Sequence, residues 1–402
     1  MKYVVFLGDG MADYPQKSLG DKTPLQLAKK PFIDSLAKSS EMGLCKTIPD
    51  GLKPGSDVAN LSVLGYDPKT CYTGRSPLEA ASIGIDLKDT DITARANLVT
   101  LSGEDVFEDK TMIDYSAGEI TTEEARGLIS FLAEKLNDGK RSLYAGVSYR
   151  HCLVTDNGKI AGDLTPPHDI TGRKIKEYLP KSEVGKEYLA IMKKSCELLK
   201  DHPINLDRIK RGKRPANSLW FWGEGSKPSL ENFEHRYKIK GGMISAVDLL
   251  KGIGKLSGMR VIDVAGATGN YDTNFAGKAN ACIENLSDLD FIYIHMEAPD
   301  ECGHHGDAEH KIFSIGEISE KVVKSVVESL KEKGEDFAVL ICPDHPTPLS
   351  TMTHASDPVP YMIYRSDKPF TGKTAYSYDE ENAKSTGIFV PSGVELMKRF
   401  LG

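Results

Sequence analysis

Short runs of aliphatic, β-branched and aromatic residues, each closed by turn formers, recur at Tyr3–Leu7, Ser218–Trp222, Arg260–Val264, Asp290–Met296, Phe337–Cys342 and Pro360–Tyr364. Runs this short and this uniformly apolar suit strands buried on both faces. Between several of them lie segments with apolar residues at helical spacing, namely Thr23–Ser39, Ser245–Lys255, Asn274–Asn285 and Ala308–Lys333. Strands alternating with amphipathic helices predict an α/β fold built on a mostly parallel sheet flanked by helices. The stretch from Lys88 to Lys181 differs: ITARANLVTLSG and KRSLYAGVSYRHCLVTDNGKIAGDL are broken by turns and read as hairpins of an α+β unit. With 402 residues the chain exceeds the size at which one core keeps growing. The expected organisation is a discontinuous α/β domain over 1–87 and 182–402, with a smaller α+β lid domain inserted over 88–181.

The ends of the apolar runs carry the chemistry. Tyr3–Leu7 runs into Gly8-Asp9-Gly10, Phe291–Met296 into Glu297-Ala-Pro-Asp300, and Ala338–Cys342 into Pro343-Asp344-His345. Each aspartate alone reads as a turn former or helix cap. Three together, each at the carboxyl end of a strand, read as a site, because ligands of open α/β sheets bind at that edge. Six of the ten histidines fall between His295 and His354, in the same part of the chain. Asp300 and His304 are four apart, and His345 and His354 follow Asp344. Oxygen and nitrogen donors of this kind suit divalent Mn or Zn, with Mg less fond of imidazole. With Asp9 they exceed what one tetrahedral ion needs, so the expectation is a pair of divalent cations and phosphoryl transfer. A structural zinc site in a binding protein fits less well, since such sites are four-coordinate and usually rich in cysteine.

A nucleophile for that chemistry is offered by Lys53-Pro54-Gly55-Ser56-Asp57. The Pro-Gly turn followed by an apolar helical pattern puts Ser56 at a helix N-terminus, either as an ordinary N-cap or as a hydroxyl aimed at the cations beside free helix N–H groups. The seven cysteines are scattered without a CxxC pair, which argues for reduced thiols. A net charge of −7 argues against non-specific binding to nucleic acid or anionic lipid. No stretch is apolar for long enough to span a membrane, and a cytoplasmic location is expected. Met11-Ala12-Asp13 after Gly8-Asp9-Gly10 breaks the spacing of a dinucleotide-binding loop.

Taken in order, GDGMAD, PGSDVANLSVLGYDP, YTGRSPLEAASIG, SYRH, TPPHD, EAPDECGHHGD, PDHPTP and THASDPVP resemble the archaeal type of cofactor-independent phosphoglycerate mutases in the alkaline phosphatase superfamily, over nearly the whole chain. The resemblance implies an alkaline-phosphatase-like fold interrupted by a lid domain, and interconversion of 3-phosphoglycerate and 2-phosphoglycerate without bisphosphoglycerate. It implies Ser56 as the residue transiently phosphorylated. It assigns Asp9, Ser56, Asp344 and His345 to one metal ion and Asp300, His304 and His354 to the other, with Mn2+ favoured and Zn2+, Co2+ or Mg2+ as alternatives. A phosphoserine must be kept from water, so the lid should carry cations for the substrate carboxylate. Arg150 leads, followed by Arg95, His151 and Asp169. Arg75, Arg214 in the basic run Arg208–Arg214, and Lys278 are further candidates for the phosphate or the leaving oxygen. The rivals are a homoserine-kinase-like phosphotransferase or a phosphomonoesterase on the same scaffold. Oligomeric state is not legible.

Overall fold

The computed structural model describes residues 1–402, which divide into two compact units, Met1–Tyr72 with Ser229–Gly402, and Thr73–Pro228. In chain order the strands are β1 (Lys2–Gly8), β2 (Glu41–Cys45), β3 (Ile92–Leu101), β4 (Met112–Asp114), β5 (Arg141–Tyr144), β6 (Arg150–Thr155), β7 (Ser218–Ser226), β8 (Gly241–Ile244), β9 (Arg260–Ile262), β10 (Phe291–Met296), β11 (Phe337–Cys342), β12 (Val359–Arg365) and β13 (Phe389–Val390).

The first unit is built on an eight-stranded sheet in the order β13-β2-β12-β11-β1-β10-β8-β9. Its centre is parallel: β1 lies between β10 and β11 and runs parallel to both. β10 and β11 are buried at every position, which is why their sequences read as unbroken apolar runs. The run at Pro360–Tyr364 is a strand, but β12 pairs antiparallel with β11 and with β2. Two helical expectations change. Thr23–Ser39 forms two helices, Pro24–Leu27 and Pro31–Ala37, because Pro31 holds Lys30 out of the helical region at φ −128°, ψ 51°. Ala308–Lys333 is one continuous path, but Ile318–Val323 winds as a π-helix between the α-helices Ala308–Glu317 and Lys324–Glu332.

The second unit carries the other five strands: β3 pairs with β4, β6 and β7, and β5 pairs with β6. Its boundaries correct the expected insertion of 88–181. β7 pairs with β3 from Ile92↔Ser226 to Val99↔Ser218, so residues 182–228 return to this sheet and not to the parallel one. At the other end, Ala80 and Leu87 pack with Cys152 and Val154 of β6, drawing in helix Ser76–Ser82. The main core of this unit lies on the opposite sheet face, under the helices Thr122–Leu136 and Glu183–Leu199.

One buried ion pair ties together the segments that follow β1 and β11. Lys311 Nζ donates to Asp13 Oδ2 at 2.8 Å and to the Thr347 carbonyl at 2.7 Å, and the Leu349 N–H donates to Asp13 Oδ2 at 3.1 Å. Both charged side chains are excluded from solvent. Lys311→Met strands the Asp13 carboxylate and should cost about 3–5 kcal/mol, read as a lowered denaturant midpoint. Adding Asp13→Leu should recover part of that loss; a double variant less stable than Lys311→Met would refute an uncompensated charge as the cause.

Candidate metal centre and nucleophile

The registers Leu7↔Cys342 and Gly8↔Met296 bring the ends of β1, β11 and β10 level. Asp9 follows β1, Asp344 follows β11, and Asp300 stands in the helix Ala298–His304 that begins just after β10. All three carboxylates are buried. Asp344 is well supplied with donors: its Oδ1 accepts from the N–H groups of Gly10 and His345, and its Oδ2 from Asn60 Nδ2 at 2.9 Å. Asp9 is not. Its Oδ2 lies 2.9 Å from His295 Nε2 and 3.4 Å from Ser56 Oγ, while its buried Oδ1 has no hydrogen-bond partner. Burial and the charges of Asp344 and Asp300 push the Asp9 carboxyl well above the usual range. An orphaned carboxylate oxygen in a crowd of acids fits a cation.

Ser56 opens the helix Ser56–Val63, with Gly55 in the N-cap position. The serine is therefore not the cap. Its Oγ lies 3.2 Å from His345 Nε2. One helix N–H expected to meet phosphate is taken internally, since Val58 N donates to Asp57 Oδ1 at 2.9 Å.

On the other side of the cluster, His304 Nε2 lies 3.2 Å from Asp300 Oδ2, and His354 Nε2 lies 2.9 Å from His304 Nε2 and 3.5 Å from Asp300 Oδ1. His304 Nδ1 is 3.0 Å from the Met352 carbonyl, which orients the ring. Burial opposes ionisation of Asp300, but hydrogen bonds from His304 and His354 outweigh it and hold its carboxyl well below the usual range. The same bond raises His304 to about 9. Ligand atoms converge within 4.8 Å in three overlapping sets: Asp300, His304 and His354; Asp9, His295 and Asp344; and Asp9, Asp300 and His345. All seven residues read from the sequence as metal ligands thus meet in one place.

Three more residues there escaped sequence reading. His295 had been counted among the clustered histidines but not as a neighbour of Asp9. Asn60 stands one helical turn after Ser56, and its Nδ2 bonds both the Ser56 carbonyl and Asp344, a spacing that could have exposed it. Thr347 hydrogen-bonds Asp300 through Oγ1. Lys278 is fully buried, and its Nζ donates to the His295 carbonyl at 3.1 Å. Burial lowers this ammonium to about 8.

In the second unit, Arg75 Nε bonds Glu79 Oε1 at 2.9 Å, and Arg95 Nε lies 2.8 Å from Glu79 Oε2 at an angle too poor for a hydrogen bond. Arg95 also stacks 4.0 Å over the Trp222 ring, its partner across β3 and β7, and burial lowers it to about 10. Arg150 is exposed and pairs with no carboxylate, and its field reaches Glu79 and Arg95. His151 diverges from Arg150, because consecutive strand residues face opposite ways. It is buried, it accepts from Gly146 N, and burial lowers it to about 3. Asp169 is exposed in the turn Pro167–Ile170, 3.4 Å from its neighbour His168, whose ring meets Trp222 edge-on. Arg214 is committed to Asp114, while Arg208 and Arg211 both pair with Glu124, so the basic run is an ion-pair network and not a free anion patch.

The chain is 49% identical over 398 residues to a 2,3-bisphosphoglycerate-independent phosphoglycerate mutase of Methanosarcina barkeri, covering 99% of this chain and 98% of that one. The chain belongs to that family. The family model described as 2,3-bisphosphoglycerate-independent phosphoglycerate mutase matches residues 37–205. A probable mutase of the same name from Geobacter sulfurreducens is 46% identical over the full length of both chains. Among solved structures, a Pyrococcus horikoshii protein is similar with TM-score 0.81 and 29% identity, over 100% of this chain and 97% of that one. The cofactor-independent phosphoglycerate mutase of Thermoplasma acidophilum is similar with TM-score 0.64 and 25% identity over the whole of both. No helix is long and apolar enough to cross a membrane.

A cation held by His304 would displace the proton that this residue carries below about 9. Affinity should therefore rise with pH up to about 9 and then level off. Calorimetry in buffers of different ionisation enthalpy should show proton release. His304→Ala should lower metal content, whereas Cys302→Ser should not, because burial pushes the Cys302 thiol up to about 11 and keeps it protonated.

Proposed function

We propose that the protein interconverts 3-phosphoglycerate and 2-phosphoglycerate through phosphorylated Ser56, without bisphosphoglycerate. The observation that carries this reading is Ser56 Oγ, uncommitted to capping its helix, lying beside Asp9 and His345 in a nest of metal-type donors. Similarity to mutases over the full chain favours isomerisation over a homoserine-kinase-like transfer or simple hydrolysis.

Asp9, Ser56, Asp344 and His345 would hold one divalent cation and Asp300, His304 and His354 the other, with Mn2+ suiting mixed carboxylate and imidazole donors. Bound there, the cations would supply charge neutralisation for the phosphoryl oxygens and ease ionisation of the serine hydroxyl. Ser56 Oγ then attacks phosphorus. The bond from phosphorus to the C3 oxygen breaks, and that oxygen leaves as the C3 hydroxyl after taking a proton. The glycerate turns, its C2 oxygen loses its proton and attacks the phosphorus of phosphoserine, the bond from phosphorus to Ser56 Oγ breaks, and Oγ takes up a proton to regenerate the serine. Asn60, anchored by Tyr293 at 2.6 Å, holds Asp344 against the start of the Ser56 helix throughout. Recognition of the substrate carboxylate is assigned to the guanidinium groups of Arg75, Arg95 and Arg150, three positive charges around the single carboxylate of Glu79. A phosphorylated small-molecule substrate suits a cytoplasmic location.

With 3-phosphoglycerate and Mn2+ but no bisphosphoglycerate, 2-phosphoglycerate should form and be detected through enolase. Failure after metal reconstitution, together with ATP-dependent phosphorylation of homoserine, would replace this reading. Ser56→Ala should abolish both turnover and acid-trapped phosphoprotein. Arg150→Met should reduce kcat/KM by about 10- to 100-fold, the worth of one charge-assisted hydrogen bond, whereas Arg214→Met should change it little.

A further inference from the structure

Thr347 is fully buried between two sets of donors that sequence reading treated as separate. Its backbone is fixed at both ends: the N–H donates to the Ala12 carbonyl at 3.2 Å, and the carbonyl accepts from Lys311 Nζ at 2.7 Å. Two glycines close around it. A Cβ on Gly10, which sits at φ +61°, would come within 2.7 Å of both Thr347 Oγ1 and Asp300 Oδ1, and a Cβ on Gly303 would come within 2.6 Å of the Thr347 carbonyl oxygen. Thr347 is thus closely enclosed. Its hydroxyl bonds Asp300 Oδ1 and lies 3.3 Å from His345 Nδ1.

Proton counting constrains how these three groups are wired. A threonine hydroxyl has one proton and two lone pairs, and a carboxylate only accepts. The hydroxyl proton goes to Asp300, which leaves a lone pair facing His345 Nδ1 and favours the ring proton there, against the pull of the acceptors that face Nε2. In that tautomer His345 Nε2 presents its lone pair, the form in which it could bind a cation. Nε2 is also the atom that lies 3.2 Å from Ser56 Oγ, 3.4 Å from Asp344 Oδ2 and 3.6 Å from Asp9 Oδ1. We propose that Thr347 is a positioning residue that couples the two donor groups, its single hydroxyl orienting the Asp300 carboxylate and fixing His345 with its Nε2 lone pair toward Ser56. The inference rests on the reading of these groups as cation ligands, but its first test is independent of that reading.

That test is the tautomer of His345 in metal-free protein labelled with 15N-histidine, with the ring assigned by the spectrum of His345→Gln. Long-range 1H–15N correlation should show the proton on Nδ1. A proton on Nε2 in the unsubstituted protein overturns the proposal without recourse to any variant. Thr347→Val, which keeps the shape and removes the hydroxyl, should allow the second tautomer to appear. It should also weaken both phases of a Mn2+ titration by about 10- to 100-fold, the effect of losing a partner that orients a ligand. Thr347→Ser should restore the tautomer and both affinities to within a few-fold. Unchanged affinities in Thr347→Val, weakening confined to one phase, or no rescue by serine would each overturn the coupling. If the tautomer and titrations behave as stated while 3-phosphoglycerate is not isomerised, the proposed reaction falls and the role of Thr347 stands.

Discussion

Three carboxylates buried at the ends of three adjacent parallel strands repel one another, and the surrounding structure is arranged around that repulsion. Asp344 receives two backbone N–H groups and the Asn60 amide, and Asp300 receives two imidazoles and a hydroxyl. Asp9, at the end of the central strand, retains an oxygen that nothing in the chain satisfies. An unpaired buried charge costs several kcal/mol, which pushes the Asp9 carboxyl well above the usual range and would favour a cation beside it. The sheet order follows from the same need. With β1 between β10 and β11, all three acids meet, whereas an intervening strand would separate them by about 5 Å more for each ladder crossed.

Much of this was legible because parallel strands buried on both faces write themselves as unbroken apolar runs, and the residue after such a run stands at the edge where ligands bind. Asp9, Asp300 and Asp344 could be found by that rule, and His304 by its spacing from Asp300. His295 could not: it lies inside β10, where an apolar run disguises it, and only the pairing with β1 places it against Asp9. Thr347 was hidden for a different reason. A threonine after His345-Pro346 has no ligand character of its own, and its meaning appears only once the segments at 300 and 345 are side by side.

The second unit was harder to read from local pattern. Ser218–Trp222 has the composition of a strand in either sheet, and nothing nearby specifies pairing with β3, more than a hundred residues earlier. That pairing sets Trp222 opposite Arg95 and thereby builds the guanidinium cluster around Glu79. Alternation along a strand, by contrast, was available from the start. Arg150 and His151 are neighbours in β6 and must face opposite sides, so the two could not both have served one site.

The turn before Ser56 shows how the repulsion at the acids and the chemistry at the serine meet. A serine in the N-cap position would give its hydroxyl oxygen to the N–H groups of the first turn. Here Gly55 occupies that position in an extended conformation, φ 178°, ψ 154°, which any residue could adopt. A Cβ at residue 55 would stand 2.8 Å from Asp57 Oδ1, the atom that accepts from Val58 N, so that carboxylate would have to shift. With the cap at Gly55 and an N–H of the first turn met by Asp57, the Ser56 hydroxyl is released from the helix and turns to Asp9 Oδ2 and His345 Nε2. Moving the cap by one residue is thus what separates a serine bound to its own helix from one whose hydroxyl faces the carboxylate that keeps an unpartnered oxygen.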